Sequence, residues 1–145
     1  MDYFSTRGGA ERVSSAAAIL KGLASDGGLF VPASFPQMPL SAIEELASLS
    51  YEERAVHILS LFLTDYTEKE IEGCVRRAYS HTFDDVRRAP VTSVGELEVL
   101  ELWHGPTSAF KDMALQLLPQ LMSTARVKQG EKDTILILVA TSGDT

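Results

Sequence analysis

Residues 134–140 read TILILVA, and the fold class that the sequence predicts depends on this continuous apolar run. Strands covered by helices on both faces of a parallel sheet have continuous apolar sequences, whereas half-exposed strands alternate apolar and polar residues. Residues 97–103 also have the pattern of a strand, and residues 109–126 have helical spacing, interrupted at Pro119. Strand, helix and strand together predict a βαβ unit with a right-handed crossover. The predicted fold is therefore α/β, and residues 91–145 are expected to form the first part of a parallel-sheet domain.

Residues 1–90 are predicted to form a mainly helical N-terminal domain. An early helix is expected from Ser14 to Ala24, and Gly27 and Gly28 follow it as a stop signal. Three later helices are expected to begin at capping boxes, in which a Ser or Thr precedes a Glu by three residues. These pairs are Ser41 with Glu44, Ser50 with Glu53, and Thr67 with Glu70.

Beyond Pro90 the pattern changes from helical to extended. Residues 90–94 and 97–103 flank Gly95 and Glu96, so we expect a β-hairpin or two short strands there. Three apolar side chains of the second strand are expected to be buried: Leu97, Val99 and Leu100.

Two loops leave the carboxyl ends of the predicted strands, where open α/β sheets bind ligands. One is HGPTSAFK, residues 104–111, and the other is TSGDT, residues 141–145. A glycine flanked by hydroxyl groups and an acid can present donors to a carboxylate or a phosphate, although such patterns are also common in turns. We expect the two loops to border one crevice.

Composition narrows the class of ligand. The 145 residues include 13 basic and 20 acidic side chains, for a net charge of -7. Nucleic acids and anionic membranes are therefore poor partners, and a small molecule is favoured. The N-terminus lacks the apolar run of a signal peptide, and no apolar segment approaches the roughly 20 residues that span a bilayer. A cytoplasmic protein is the simplest prediction.

The cysteine and the histidines point to no further chemistry. Cys74 is the only cysteine, so no intrachain disulfide is expected, and it follows the apolar face of a helix as a core residue would. His57, His81 and His104 show no ligand spacing with one another or with a nearby acid. No metal site is therefore predicted.

Lys111 occupies an unfavourable place for a charged amine. It falls in the first turn of the predicted helix, where the helix dipole disfavours a positive charge, and it heads the apolar line of Leu115, Leu118 and Met122. Both conditions favour the neutral amine, which can form a Schiff base with a carbonyl such as that of pyridoxal phosphate. On spacing alone, a lysine that extends to solvent from the end of a buried helix is the more common arrangement.

Four stretches resemble the threonine synthases, which are pyridoxal-phosphate-dependent enzymes with the tryptophan-synthase β-like fold. They occur in the family's order and extend from end to end of the chain. They are YFSTRG (3–8), DGGLFVP (26–32), ELWHGPTSAFKD (101–112) and ILVATSGDT (137–145).

The resemblance implies that Lys111 forms a Schiff base with pyridoxal 5'-phosphate and that Phe110 packs near this cofactor. It further implies conversion of O-phospho-L-homoserine and water to L-threonine and phosphate, with proton transfers by the lysine amine. The residues that it implies for binding the substrate's carboxylate are Thr141, Ser142, Gly143, Asp144 and Thr145.

Other motif residues have less direct roles. Loop shaping is favoured over chemistry for His104, Thr107 and Asp112. The segment of Ser5, Thr6 and Arg7 could approach the site or belong to a structural N-terminal strand.

Members of this family are several times longer than 145 residues. Their cofactor-phosphate loop and the group that faces the pyridine nitrogen lie further along the chain. We therefore expect a truncated N-terminal portion that neither retains the cofactor nor makes threonine alone. Residues 134–140 would then have an unpaired edge that favours self-association.

Two alternatives remain. The chain could belong to another pyridoxal-phosphate enzyme of this fold, a dehydratase or a sulfhydrylase, although those usually resemble it only around the lysine and the TSGDT loop. It could also be a non-catalytic threonine-synthase-like domain that binds a phosphorylated ligand or a partner.

Overall fold

The structure is a computed structural model that describes residues 1–141 and Gly143. The helices in this part of the chain are α1 (Ser15–Lys21), α2 (Leu40–Leu46), α3 (Tyr51–Phe62), α4 (Glu68–Tyr79), α5 (Asp112–Leu115) and α6 (Leu118–Gln129). The strands are β1 (Tyr3–Ser5), β2 (Arg12–Val13), β3 (Phe30–Pro32), β4 (Val91–Val94) and β5 (Leu97–Leu100). The predicted mixture of helices and strands, an α/β class, is confirmed.

Two of the three predicted capping boxes are present. The side chains of Ser50 and Thr67 accept hydrogen bonds from the backbone N–H groups of Glu53 and Glu70, and both glutamates return the bond. The prediction for Ser41 is wrong, because α2 begins two residues earlier than a cap at Ser41 requires, with Pro39 in the capping position. The Pro39 carbonyl accepts the N–H groups of residues 42 and 43, so Ser41 already lies inside the first turn.

Helix α1 is shorter than predicted. Ser14 is its N-terminal cap rather than its first residue, and the helix ends at Lys21, before Gly22, rather than at Ala24. Gly22 has a φ of 68°, a conformation that glycine adopts without steric cost, and its N–H donates to the carbonyl of Ala18.

The hydrophobic core lies between helices. α1 packs on α6, α3 on α4, and α4 on α6. Cys74 is fully buried, which confirms its prediction as a core residue. A Lys128–Glu70 ion pair of 2.8 Å joins α6 to α4 at the edge of the core. The buried residues of this core are Ala16, Leu63, Tyr66, Ile71, Cys74, Val75, Ala78, Tyr79, Leu121 and Ala125.

The helix predicted over residues 109–126 is divided. Pro119 lies in the first turn of α6, where its missing N–H costs no intrahelical bond, and α5 forms a separate short helix before it. The predicted interruption at Pro119 is therefore present, and it takes the form of a break between two helices rather than a kink in one. Because α6 packs against α1 and α4, residues on both sides of the predicted boundary at residue 90 share one core. The division into two domains stays a prediction.

The hairpin is present, but its predicted burial is wrong. β4 and β5 pair antiparallel around Gly95, whose φ of 64° suits the turn. Leu97 and Leu100 are 69% and 55% exposed, and β5 packs mainly against its hairpin partner β4. Val99 alone is half-buried.

The strand predicted at residues 134–140 is also absent from the described chain. This segment has no ladder partner, and the described strands pair only antiparallel, so the predicted βαβ unit is not formed. A strand is stable only when a neighbouring strand pairs with its backbone, whatever its own composition. The segment is instead exposed, with Leu136 at 78% and Leu138 at 86%.

Candidate functional site

The loop after β5 is fixed at its start by His104. The imidazole Nδ1 lies 2.7 Å from Oδ1 of Asp84, and Nε2 lies 2.6 Å from Oε2 of Glu101. The backbone N–H of Asp84 also donates to the His104 carbonyl at 3.0 Å. The histidine therefore joins the segment after α4 to the segment that leads to Lys111.

The two carboxylates change the acid–base properties of this histidine. The hydrogen bonds to Glu101 and then to Asp84 raise the pKa of His104 above its usual 6.5. The same contact lowers the pKa of Glu101 below 4.5. A charged imidazolium donates from both ring nitrogens, which matches the two acceptors.

The middle of the loop is folded around Asp112. The backbone N–H of Thr107 donates to Oδ2 of Asp112 at 2.8 Å, and the Thr107 hydroxyl lies 2.9 Å from Oδ1. Asp112 is only 1% exposed. Its carboxylate therefore closes residues 107–112 into a compact turn immediately before α5.

Lys111 lies at the start of α5, beside an apolar pocket of about 520 Å³. Its Nζ lies 5.9 Å from the centroid of the Phe110 ring. The pocket is lined by Leu102, Phe110, Lys111, Met113, Ala114 and Leu115. The structure thus brings two of the predicted site residues, Lys111 and Phe110, into one pocket.

The core anchors the other side of α5. The Tyr79 hydroxyl donates to the carbonyl of Met113 at 2.7 Å. The Tyr79 ring packs edge-on against Tyr51, with centroids 5.1 Å apart, and burial raises the pKa of its hydroxyl. The wall of the pocket is therefore fixed to α4.

Ser5, Thr6 and Arg7 form structural contacts in the N-terminal sheet. Strand β1, which contains Ser5, pairs with β3, so the YFSTRG and DGGLFVP motifs are neighbours. The Ser5 hydroxyl donates to Oδ1 of Asp26 at 2.6 Å, and Arg7 donates to the carbonyl of Asp26 at 3.0 Å. The predicted N-terminal strand is present.

The TSGDT loop is described only in part. Thr141 and Gly143 are exposed, and the Gly143 N–H donates to the Thr141 hydroxyl at 3.2 Å. The other predicted residues of this loop, Ser142, Asp144 and Thr145, lie outside the described residues.

Sequence reasoning missed the partners of His104 and part of the pocket wall. Glu101 precedes His104 by three residues but was placed in a predicted strand, where residues three apart lie on opposite faces, and Asp84 is 20 residues away. Met113 and Ala114 follow Phe110 by three and four residues, which places them on one helical face. Leu102 had no signal beyond its position next to the loop.

Comparisons with known proteins agree with these motifs. A family model described as threonine synthase N terminus matches residues 2–79. The chain is 42% identical to a threonine synthase of Schizosaccharomyces pombe and 40% identical to one of Pseudomonas aeruginosa, and both matches cover 100% of the chain. It spans 30% and 31% of the length of these relatives.

A solved structure gives the same result. A pyridoxal-phosphate-bound threonine synthase from Brucella melitensis superposes with a TM-score of 0.85 and 40% identity. The superposition covers 91% of the present chain and 29% of that protein. The fold described above is therefore similar to a part of that enzyme.

Proposed function

The chain belongs to the threonine synthase family, and on that basis we propose that it contributes Lys111 to a pyridoxal-phosphate-dependent lyase, a threonine synthase. The proposed reaction converts O-phospho-L-homoserine and water to L-threonine and phosphate. The observation that carries the proposal is the position of Lys111, which lines an apolar pocket together with Phe110 and has its amine 5.9 Å from the centroid of the Phe110 ring.

The residues of this pocket fit the ring and the aldehyde of pyridoxal 5'-phosphate. The pocket is lined by aliphatic side chains, one aromatic ring and one lysine, which is a suitable set of residues for a planar aromatic aldehyde. Lys111 would hold the aldehyde carbon, and Phe110 would contact the ring. When bound, the cofactor supplies an electron sink for the substrate's carbanion.

Lys111 and the TSGDT loop also act on the substrate in this proposal. The Lys111 amine is the group that would carry protons at the α and β carbons, since a lysine amine can act as a general base. The loop of Thr141, Ser142, Gly143, Asp144 and Thr145 would bind the substrate's carboxylate through backbone N–H groups and hydroxyls.

The isolated 145-residue chain is proposed to hold the cofactor only transiently and to make no threonine. Its Lys111 pocket is open, since Phe110 is 62% exposed. The exposed apolar segment 134–140 is proposed to favour self-association.

A cytoplasmic location is also proposed, because Cys74 is a buried free thiol, as is usual in a reducing compartment. No nucleic acid or membrane is proposed as a partner. Among the described residues, no helix is long and apolar enough to cross a bilayer.

The match at residues 2–79 favours this function over a dehydratase or a sulfhydrylase. The family model that matches there is specific to threonine synthases by its description, and those other enzymes are expected to resemble the chain mainly around Lys111.

A chimera tests the proposal. Residues 1–145 replace the matching segment of the Pseudomonas aeruginosa threonine synthase, to which they are 40% identical. We expect the chimera to release phosphate from O-phospho-L-homoserine, and Lys111→Ala to lower the turnover by about a thousandfold or more. Lys69→Ala, at an exposed lysine of α4, serves as the control and should retain turnover.

Two outcomes would contradict the proposal. A folded chimera that binds the cofactor and releases no phosphate would exclude the substrate assignment. A Lys111→Ala chimera as active as the unmodified chimera would exclude the role of the lysine.

A further inference from the structure

We propose that Asp112 is a positioning residue that sets the orientation of Lys111 through its bonds to Thr107. This inference rests on the proposed function, because it concerns how the cofactor-binding lysine is presented. Asp112 directly follows Lys111, yet its side chain turns back into the loop that precedes the lysine.

The burial of Asp112 and its hydrogen bonds show that its carboxylate binds the loop and does not line the pocket. Asp112 is 1% exposed and does not belong to the described lining of the pocket beside Lys111. Both of its oxygens lie within hydrogen-bond distance of the Thr107 hydroxyl, at 2.9 and 3.0 Å, and Oδ2 also accepts the Thr107 N–H. A buried carboxylate is costly unless donors satisfy it, so these bonds define one loop conformation.

The loop is shaped closely around this side chain. A Cβ added at Gly105 would lie 2.4 Å from the Cβ of Asp112, a distance that real side chains do not show. Ser108 has a φ of 58°, which is uncommon for a residue with a side chain. Its N–H donates to the Gly105 carbonyl at 3.1 Å. The backbone from Gly105 to Ser108 is thus adapted to the carboxylate.

Lys111 is fixed between this turn and α5. On one side, the Asp112 N–H donates to the carbonyl of Ala109 at 3.0 Å. On the other side, the Lys111 carbonyl accepts the N–H groups of Ala114 and Leu115 at 3.0 and 2.8 Å. With Met113 bound to Tyr79, the backbone of Lys111, which is one of the lining residues of the pocket, is held from both sides. Without the Asp112 carboxylate, the turn before Lys111 would lose the bonds to Thr107 that close it, and only α5 would still hold the lysine backbone.

Substitutions at Asp112 and Thr107 separate the effect of the hydrogen bonds between them from the effect of the negative charge. Asp112→Asn retains the shape, because its amide can accept the Thr107 N–H and donate to the Thr107 hydroxyl, but it removes the negative charge. Asp112→Ala removes both. Thr107→Ser retains the hydroxyl group, and Thr107→Val replaces it with a methyl group of similar size.

The experiment measures how selectively Lys111 reacts with an aldehyde. The chain is incubated with pyridoxal 5'-phosphate, reduced with borohydride, and digested, and labelling of Lys111 relative to Lys69 is measured by mass spectrometry. Reduction makes the adduct permanent, so transient binding suffices. We expect Asp112→Ala and Thr107→Val to lower this ratio about fivefold or more, as misorientation of a reacting group does. Asp112→Asn and Thr107→Ser should retain most of it.

Controls distinguish this inference from the proposed function and from unfolding. Equal labelling of Lys111 and Lys69 in the unmodified chain would count against the proposed function. Selective labelling that is unchanged in Asp112→Ala would overturn the positioning role alone. Asp2→Ala, at an exposed carboxylate, should leave the ratio unchanged. Melting temperatures are measured in parallel, and a ratio that follows only the melting temperature across all variants would also overturn the inference.

Discussion

His104 shows how one side chain can join distant segments of this molecule. Its side chain is 15% exposed and lies between the carboxylates of Asp84 and Glu101, with the Trp103 ring stacked 5.7 Å away. An imidazolium between two carboxylates forms charge-assisted hydrogen bonds, which are stronger than neutral ones. The protonation state of this histidine should therefore affect stability.

The pH dependence of unfolding tests this contact. The folded-state pKa of His104 is raised above 6.5, so its stabilisation is fully present below that pH and is lost as the pH rises through the raised value. The pKa of Glu101 is lowered below 4.5, so its stabilisation is present above that pH and is lost as the pH falls through the lowered value. The joint contribution is therefore complete between pH 4.5 and 6.5.

We expect His104→Gln to flatten the decline in unfolding free energy above pH 6.5, as measured by urea denaturation at several pH values. His57→Gln, at an exposed histidine of α3, is the matched control and should retain the decline. A His104→Gln curve parallel to that of the unmodified chain would show that the histidine does not contribute in this way.

At the scale of the elements, helix starts depend on one geometric detail. Ser50 and Thr67 have extended backbones before the first turn, so their side chains can reach the free N–H groups. Ser41 has the same spacing to a glutamate, but Pro39 takes the capping position with a φ of -68°. The pattern in the sequence was the same in all three cases, and the preceding proline decided the outcome.

Alanine substitutions should distinguish the true caps from the false one. Thr67→Ala is expected to lower the unfolding free energy by about 1 kcal/mol, because α4 loses a side-chain acceptor at its N-terminus. Ser41→Ala is expected to change it by less than about 0.5 kcal/mol, since it removes no capping bond. Chemical denaturation measures both. Equal losses in the two variants would contradict the assignment of helix starts.

At the scale of the whole molecule, apolar surface is distributed unevenly. The helical core is well buried, whereas the hairpin and residues 135–139 are exposed. Monomeric proteins rarely expose extended apolar patches, and such segments promote association. The isolated chain should therefore self-associate through this region.

Light scattering over a range of concentrations tests this expectation. The unmodified chain should show a mass that rises with concentration, and Leu138→Lys should reduce the rise by placing a charge in the segment. Val127→Lys is the control, because Val127 is 84% exposed on α6 and Leu138 is 86% exposed. A monodisperse monomer of the unmodified chain would rule out self-association, and equal effects of the two variants would place the interface elsewhere.

The features that could be predicted from the sequence are those that short-range bonds stabilise. The capping boxes at Ser50 and Thr67, the hairpin turn at Gly95 and the break at Pro119 depend on residues within a few positions of each other. The burial of Cys74 followed from helical periodicity. These features could be predicted because each one is stabilised within its own segment.

The remaining features result from tertiary contacts between residues that are far apart in the chain. Asp84 meets His104 across 20 positions, and Tyr79 reaches Met113 across 34. The run TILILVA has the composition of a buried strand, but no neighbouring strand pairs with it among the described residues. The physical reason is that strand pairing and burial depend on partners distant in the chain, whereas caps and turns need only their neighbours.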